Sequence, residues 1–451
     1  MISVAENELL TRVGRNTPMG KFMRQFWIPA CLSSELQADG PQMRLMLLGE
    51  KLIAFRDTAG RVGIFDHLCP HRLASLFLGR NEDHGLRCAY HGWKFDVDGN
   101  CLDQPNLPDK NKYPAGVKAN AYKTTERGGM VLVYMGDRAE APPFPEIEAV
   151  ITPIPDDRNI ALTHRECNWL QALEGDIDTS HLGFLHGGCI DASKMDPNDA
   201  ATYTVLNKAP HINVSEMPFG TMYSASRAAM EGYDHHRFAS FIFPFWVTYP
   251  SDRLEKNMSA NAWVPINDEH TMIFNIDLQR ASGKFKSMRY ADGSVIPGLA
   301  RPLEYLPRTN DWMGRWRPVK NKANDHGLDR DMQRRGDSFS GIIGIPLQDQ
   351  AIQETMDPII DRTQEHLASS DRMVMLTRRV LLRAVREYQE TGKLPAVLDD
   401  PSLCRRARGG DVISSAGTDW LDAYEEAMTA AHGPARTQAL ADRFRSRRSL
   451  G

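Results

Sequence analysis

The stretch Cys69-Pro70-His71-Arg72, together with the later stretch Cys88-Ala89-Tyr90-His91-Gly92-Trp93, decides how the first part of this 451-residue chain folds. Each stretch pairs one cysteine with one histidine, as Cys-x-His and then as Cys-x2-His, and the segment 72–87 separates them. Thiolates and neutral imidazoles are both good ligands for transition metals. The pattern therefore predicts two loops that hold one metal centre through two sulfur and two nitrogen atoms.

The ligand types favour a cluster over a single ion. Two cysteines on one iron and two histidines on the other are the ligands of a Rieske [2Fe–2S] cluster, which is easier to reduce than an all-cysteine cluster. The alternative is a structural zinc site, but zinc sites usually space their ligands as Cys-x2-Cys and His-x3-His. The spacing thus favours a cluster held by Cys69, His71, Cys88 and His91, in a protein that uses single electrons.

A second group of polar residues indicates what the electrons are for. Glu174, Asp178 and His181 follow one another at i, i+4 and i+7, which places them on one face of a helix. His186 comes five residues later, about 500° of helical rotation, so the helix must loosen or end between the two histidines. Two histidines and a distant carboxylate form the three-ligand site of non-haem Fe(II) oxygenases, which leaves positions open for O2.

The missing carboxylate is expected downstream, on a helix that faces the first one. Asp349 is the favoured residue, in a segment where Pro346 suits a first helical turn and Pro358 ends the helix. An acidic residue near a helix start also complements the helix dipole without any metal. Glu354 and Asp361 are rival ligands.

Together these motifs resemble the terminal oxygenase component of Rieske non-haem iron aromatic ring-hydroxylating oxygenases, in the phthalate dioxygenase-like, single-subunit branch. The resemblance runs from Asn7-Glu8-Leu9-Leu10 to Asp361-Arg362-Thr363-Gln364-Glu365-His366-Leu367. It implies a mononuclear Fe(II) bound by His181, His186 and Asp349. The spacing Asp349-x4-Glu354 resembles the spacing around the downstream metal ligand of the family. This favours Asp349 over its rivals Glu354 and Asp361. Asp357 departs from the glycine that many relatives have.

The resemblance also implies a catalytic role for Asp178. Its carboxylate can accept the second ring N–H of His181 and fix the tautomer of that imidazole. In similar enzymes this aspartate also bonds a cluster histidine of a neighbouring subunit, here His71 or His91, which implies a head-to-tail homotrimer or a dimer of trimers. The alternative is an ordinary surface carboxylate. Glu174 is expected either to support this region by a hydrogen bond or to lie on the helix surface.

Composition excludes several classes of protein. Hydrophobic residues make up 41% and charged residues 25% of the chain, as in ordinary globular proteins, and the net charge of −4 gives no sign of nucleic-acid binding. We find neither a signal peptide nor an apolar run long enough to span a membrane. Of the seven cysteines, the five outside the cluster are expected to be free thiols, so the protein is predicted to be cytoplasmic.

The pattern along the chain predicts an α+β fold in two domains. Short strands separated by turns dominate residues 43–135 and indicate an all-β Rieske domain, assigned with the N-terminal segment to residues 1–145. A proline-rich stretch from Pro142 to Pro155 marks the boundary. Residues 146–451 are predicted to form the catalytic domain, an antiparallel sheet with packed helices that is helix-grip-like.

The expected function is oxygenation of a substituted aromatic compound, with electrons from a flavin- and ferredoxin-containing NAD(P)H reductase. The sequence leaves open whether the ring is dihydroxylated or an O- or N-alkyl group is removed, because the same iron site serves both reactions. A non-catalytic Rieske electron carrier is the remote alternative. A carrier needs only the first domain, whereas this chain adds a second set of metal ligands.

The sheet of the second domain is expected to form one wall of the substrate pocket. Arg227 and Arg237 lie there, among histidines and the aromatic run Phe241 to Trp246. Two arginines could bind a dicarboxylate, because the guanidinium fork matches a carboxylate. Both could instead face solvent while the aromatic residues form core. We expect an apolar pocket with at most one cationic contact, for a singly charged or neutral aromatic rather than phthalate.

Overall fold

The computed structural model of the chain describes residues 2–108, 116–152, 160–197, 199–277, 289–299 and 303–432. Two prolines of the expected boundary stretch, Pro153 and Pro155, lie outside these ranges. Within the described ranges, no helix is both long enough and apolar enough to cross a lipid bilayer.

The first part of the chain consists mainly of strands. In order, its elements are α1 (Val4–Thr11), α2 (Pro18–Met23), β1 (Ile28–Leu32), β2 (Met43–Leu47), β3 (Glu50–Arg56), β4 (Val62–Asp66), β5 (Arg80–Glu82), β6 (Gly85–Arg87), β7 (Lys94–Phe95), β8 (Cys101–Asp103), β9 (Ala121–Arg127) and β10 (Met130–Tyr134).

The second part combines longer strands with helices. Its elements are α3 (Glu148–Ile151), β11 (Ile160–Arg165), α4 (Trp169–Ile177), α5 (Ala200–Leu206), β12 (His211–Met217), β13 (Gly220–Ala228), β14 (Tyr233–Ile242), β15 (Trp246–Thr248), β16 (Ser259–Pro265), β17 (Thr271–Asp277), α6 (Arg330–Arg335), α7 (Ile345–Glu354), α8 (Arg372–Thr391), β18 (Gly410–Ser415) and α9 (Trp420–His432).

The first domain contains two antiparallel sheets. Six strands pair in the order β1-β10-β9-β4-β3-β2, and four short strands pair in the order β5-β6-β7-β8. Buried aromatic side chains between the sheets include Phe55, Phe65 and Phe95. This small core holds the connections β4–β5 and β6–β7 in place, and these two connections carry the cysteine and histidine pairs.

The second domain is an antiparallel sheet with helices packed against both of its faces. Its strands pair in the order β11-β17-β16-β15-β14-β13-β12, and β18 pairs with β14. The helix α8 packs on β12 and β13, and α4 packs on β14 to β16. The all-β first domain, the antiparallel sheet and its packed helices confirm the predicted α+β fold.

The N-terminal helices contact the second domain rather than the cluster loops. Ser3 and Glu6 form a capping box that starts α1. Both α1 and α2 pack against α8, and one continuous core joins them to the large sheet. The domain boundary at residue 145 stays a prediction.

One sequence expectation about the signature segment is wrong. The helix α4 ends at Ile177, so Asp178 and His181 do not lie on a helical face with Glu174. Asp178 has extended backbone angles, φ −93° and ψ 119°, and its carboxylate accepts the N–H of Ser180. Such a local side-chain bond competes with helix continuation. His181 therefore lies on a separate 3₁₀ turn, Ser180–Gly183.

The helix α7 also ends earlier than the proline predicted. Pro346 lies in its first turn as expected, but the helix stops at Glu354, before Pro358. Asp357 adopts a left-handed conformation with φ 69°. Glycine reaches this conformation without strain, and aspartate is among the few other residues that tolerate it. This backbone geometry suits the glycine that the resemblance leads us to expect at the position of Asp357.

Candidate metal centres

The four residues predicted to hold the [2Fe–2S] cluster lie together at the tips of two loops. Cys69 and Cys88 are buried, with 1% and 3% of their surface exposed. The rings of His71 and His91 lie 4.5 Å apart between centroids. His71 also stacks flat against the Trp93 ring at 4.3 Å, which fixes its orientation.

The chemistry of these side chains fits an iron–sulfur cluster. The buried Nδ1 atoms of His71 and His91 have no hydrogen-bond partner among the described residues. A buried nitrogen without a partner costs free energy unless something binds it. Burial raises the pKa of the Cys69 thiol to about 11, so cluster assembly must drive the loss of this proton. Two open nitrogens beside two buried sulfurs match the Rieske ligand set.

A second group of ligands converges between the 3₁₀ turn after α4 and the helix α7. One carboxylate oxygen of Asp349 lies 3.5 Å from Nε2 of His181 and 3.1 Å from Nε2 of His186. One ligand atom from each of the three residues lies within 4.8 Å of the others. Two imidazole nitrogens and one carboxylate oxygen could hold a divalent iron and leave other positions open.

The outer nitrogens of both imidazoles are held by polar partners. Nδ1 of His181 lies 3.3 Å from Oδ2 of Asp178, and Nδ1 of His186 lies 2.7 Å from Oε1 of Gln348. These contacts favour the tautomer in which each Nε2 is free to bind a metal. Sequence reasoning missed Gln348, although its position next to Asp349 on α7 was a signal.

Electrostatics keep the carboxylate of this group ionised. Burial alone would raise the pKa of Asp349, but the nearby His186 and His181 imidazoles outweigh it and hold the value at about 2. Burial likewise opposes protonation of His181, yet the Asp178 carboxylate raises its pKa. The site therefore attracts positive charge, as a metal site must.

The rival carboxylates lie elsewhere. Glu354 is fully buried and accepts hydrogen bonds from the backbone of Glu166 and from the side chain of Gln350. Asp361 accepts hydrogen bonds from Thr363 at the start of a short 3₁₀ turn. Only Asp349, of the three candidates, lies beside the two histidines.

Sequence reasoning also missed Asp176, a second buried carboxylate in this region. Its Oδ2 accepts hydrogen bonds from Asn261 at 2.5 Å and from Trp263 at 2.7 Å, both on β16. Burial raises the pKa of Asp176 to about 6, and the negative charge of Asp349 acts in the same direction. Asp176 thus ties α4 to the large sheet beside the three ligands.

Glu174 supports this region from inside the protein. Its two carboxylate oxygens accept hydrogen bonds from Arg362 and Arg378, at distances between 2.6 and 3.3 Å. Burial would raise the pKa of Glu174, but the two guanidinium groups lower it. Of the two roles considered for Glu174, the structure shows the supporting one.

We expect Glu174→Ala to destabilise the fold by about 3–5 kcal/mol, because it leaves two buried guanidinium groups without this carboxylate. Urea unfolding followed by circular dichroism measures the change. The control is Glu8→Ala, which breaks an exposed pair with Arg12 and should cost about 1 kcal/mol or less. Equal losses in both variants would contradict a structural role for Glu174.

The arginines of the expected pocket wall do not face solvent. Arg227 is buried, and Arg237 forms an ion pair with Asp411. The aromatic residues Phe241 and Trp246 are core residues of the large sheet. The expectation that both arginines could face solvent is therefore wrong. The expectation that the aromatic run forms core is confirmed for Phe241 and Trp246.

Comparisons with known proteins agree with this geometry. Residues 26–114 match the Rieske [2Fe–2S] domain, and residues 133–437 match the family described as LigXa C-terminal domain like. The chain is 43% identical over 427 residues to the 3-chlorobenzoate-3,4-dioxygenase oxygenase subunit of Comamonas testosteroni, covering 94% of this chain and 98% of that protein. It is 36% identical to the phthalate 4,5-dioxygenase oxygenase subunit of Pseudomonas putida, covering 94% of each.

A solved structure supports the fold alone. The crystal structure of dicamba monooxygenase bound to dicamba aligns with a TM-score of 0.53 and 16% identity, over 83% of this chain and 100% of that chain. The similar proteins are named oxygenase subunits of dioxygenases, so the chain is an oxidoreductase. The chain therefore belongs to the Rieske non-haem iron aromatic ring-hydroxylating oxygenases, as a terminal oxygenase component.

Proposed function

We propose that the chain dihydroxylates the ring of a substituted aromatic compound at a mononuclear Fe(II) held by His181, His186 and Asp349. The observation that carries the proposal is the convergence of these three side chains, with both outer imidazole nitrogens already held by polar partners. The names of the two similar dioxygenase subunits support ring dihydroxylation over removal of an O- or N-alkyl group.

We assign the four residues Cys69, His71, Cys88 and His91 as the ligands of the [2Fe–2S] cluster. The support is the pair of buried sulfurs beside two buried, unpartnered Nδ1 atoms. When bound, the cluster supplies one electron to the O2 chemistry of the mononuclear iron. The chain's own residues orient the ligands, and Asp178 keeps the His181 ring in one tautomer.

We further propose a head-to-tail trimer, in which Asp178 meets a cluster histidine of the neighbouring subunit. Asp178 keeps 26% of its side chain exposed, so another chain can reach it. Near the cluster loops, Leu73 and Tyr90 are exposed large hydrophobic residues at 66% and 55%. Exposed apolar side chains of this kind suit a subunit interface. Light scattering on the purified protein should give three or six chains per particle.

The electron donor is proposed to be a flavin- and ferredoxin-containing NAD(P)H reductase. A cytoplasmic location is proposed because the five cysteines outside the proposed cluster site form no disulfide, the state that a reducing compartment maintains. The domains are proposed to be residues 1–145 for the Rieske unit and 146–451 for the catalytic unit.

Metal analysis tests the two centres together. The purified protein should contain two irons and two acid-labile sulfides per chain from the cluster, plus one iron that a chelator removes separately. Cys88→Ala should abolish the visible absorption of the cluster, because it removes one of four ligands. The matched control Cys101→Ala, in the same domain, should keep the spectrum. One zinc per chain and no labile sulfide would contradict the cluster assignment.

A further inference from the structure

Two arginines lie on the side of the large sheet that faces the iron-ligand segment. On β13 the side chains of Tyr223 and Arg227 point to one side, because side chains alternate along a strand, and β14 places Arg237 on the same side. Burial raises the pKa of the Tyr223 phenol to about 12, and Arg237, Thr179 and Asp178 all lie near enough to act on it. This face of the sheet therefore adjoins the segment that carries Asp178.

Arg227 is a buried cation without a balancing anion. Only 4% of its surface is exposed. It donates from Nε to the carbonyl of Asn207 at 2.8 Å and from Nη1 to the carbonyl of Ala225 at 3.5 Å. Within the described ranges, no carboxylate oxygen lies within 4.0 Å of its guanidinium, and Nη2 has no acceptor.

Arg237, in contrast, is already balanced. Its Nη1 lies 3.3 Å from each oxygen of Asp411, and its Nη2 donates to the carbonyl of Pro250 at 2.9 Å. Asp411 also contacts Nε2 of His235 at 2.9 Å. The cluster formed by Arg227, Arg237, Asp411 and His235 thus contains two guanidinium groups and one carboxylate.

One positive charge therefore remains uncompensated on this face. Burial and the charge of Arg237 lower the pKa of Arg227 to about 10, so the guanidinium is still protonated at neutral pH. Burying an unpaired charge is costly, and an anion that pairs with it recovers that cost. Between the charged residues the same face carries only the short side chains Ala225 and Ala239, both 0% exposed.

We propose that Arg227 anchors the carboxylate of a singly charged aromatic acid and so determines which substrates the enzyme takes. The ring of the acid then extends from Arg227 past Tyr223 towards the segment that carries Asp178. A second carboxylate would meet Arg237, whose charge Asp411 already balances, so dicarboxylates are disfavoured. This inference rests on the proposed function and narrows its substrate to aryl monocarboxylates.

Binding to the intact, metal-loaded protein tests the selectivity without any mutation. Isothermal titration calorimetry should show that benzoate binds at least about 10-fold more tightly than phthalate, and more tightly than the neutral analogue benzamide. Equal or tighter binding of phthalate would overturn the inference.

Variants test the anchor itself. Arg227→Gln should weaken benzoate binding about 10- to 100-fold, the range of a lost charge-assisted hydrogen bond, and leave benzamide binding unchanged. Arg227→Lys should recover part of the loss, since it restores the charge but not the fork. Asp411→Asn frees the charge of Arg237 and should raise phthalate affinity relative to benzoate.

Controls separate this inference from a structural role and from the proposed function. The surface variant Arg386→Gln, which breaks an exposed pair with Glu6, should bind benzoate as wild type does. If Arg227 only held the Asn207 carbonyl, Arg227→Gln would lower the melting temperature and weaken benzoate and benzamide alike. If Arg227→Gln contains the mononuclear iron and binds benzoate as wild type does, the anchoring role of Arg227 is refuted and the proposed function is not. Absence of that iron in wild type refutes the proposed function.

Discussion

Replacing Asp349 with alanine should empty the mononuclear iron site, lower turnover by more than about 100-fold and leave the cluster spectrum unchanged. Loss of a residue that only supports a metal ligand typically costs 10- to 100-fold in metal affinity or activity, so loss of a ligand should cost more. The cluster survives because its four proposed ligands lie on other loops. Iron analysis after brief chelation, together with visible spectroscopy, measures both effects.

The rival carboxylates provide matched controls for this result. Asp361→Asn changes an aspartate that bonds only its own turn and should keep both iron and turnover. Glu354→Gln preserves the shape of a buried side chain that accepts the backbone N–H of Glu166 and should also keep the iron. Loss of iron in Glu354→Gln, together with retention of iron in Asp349→Ala, would show that the assignment of Asp349 as the third iron ligand is wrong.

Asp178→Asn should keep both metal centres yet lower steady-state turnover by about 100-fold. The amide retains the shape of the side chain but removes the negative charge that lies 3.3 Å from Nδ1 of His181. That charge orients the imidazole and, in the proposed trimer, connects the iron site to the donor cluster. Oxygen consumption with a reductase measures turnover, and stopped-flow oxidation of the reduced cluster measures electron transfer.

A nearby exposed carboxylate distinguishes this effect from a general loss of charge. Asp191 lies in the same connection, and its carboxylate bonds Ser193 and pairs with Lys194. Asp191→Asn should leave turnover unchanged. Near wild-type turnover and cluster oxidation in Asp178→Asn would mean that this carboxylate is not on the electron-transfer route.

The sequence predicted the features that depend on local spacing. The spacing within each pair, Cys69–His71 and Cys88–His91, puts one sulfur and one imidazole on each of two loops. The β6–β7 loop joins hydrogen-bonded strands, whereas the β4–β5 loop joins the two sheets of the first domain. His181 and His186 needed only a break in the helix, which the spacing already required. The break itself came earlier than expected, because Asp178 bonds the backbone of Ser180, and periodicity does not reveal such a bond.

Local sequence patterns could not predict the features that depend on contacts between distant parts of the chain. The strands β11 and β18 were missed, and β18 reaches β14 from far along the chain. That pairing places Asp411 beside Arg237, and so decides which of the two arginines keeps an unbalanced charge. The sequence placed Arg227 and Arg237 in the expected wall of the pocket, with at most one cationic contact to the substrate, but the partners of the two arginines became visible only in the folded chain.

Single turnover under ¹⁸O₂ tests the central claim most directly. Protein with a chemically reduced cluster and loaded mononuclear iron is mixed with benzoate and ¹⁸O₂ in the absence of reductase, and the product is analysed by mass spectrometry. The account predicts a ring cis-dihydrodiol that carries two ¹⁸O atoms. Of the two electrons that each product requires, one would come from the cluster and one from the ferrous mononuclear iron. Oxidation of the cluster without product, or a product with one ¹⁸O atom, would contradict dihydroxylation by the two-centre site.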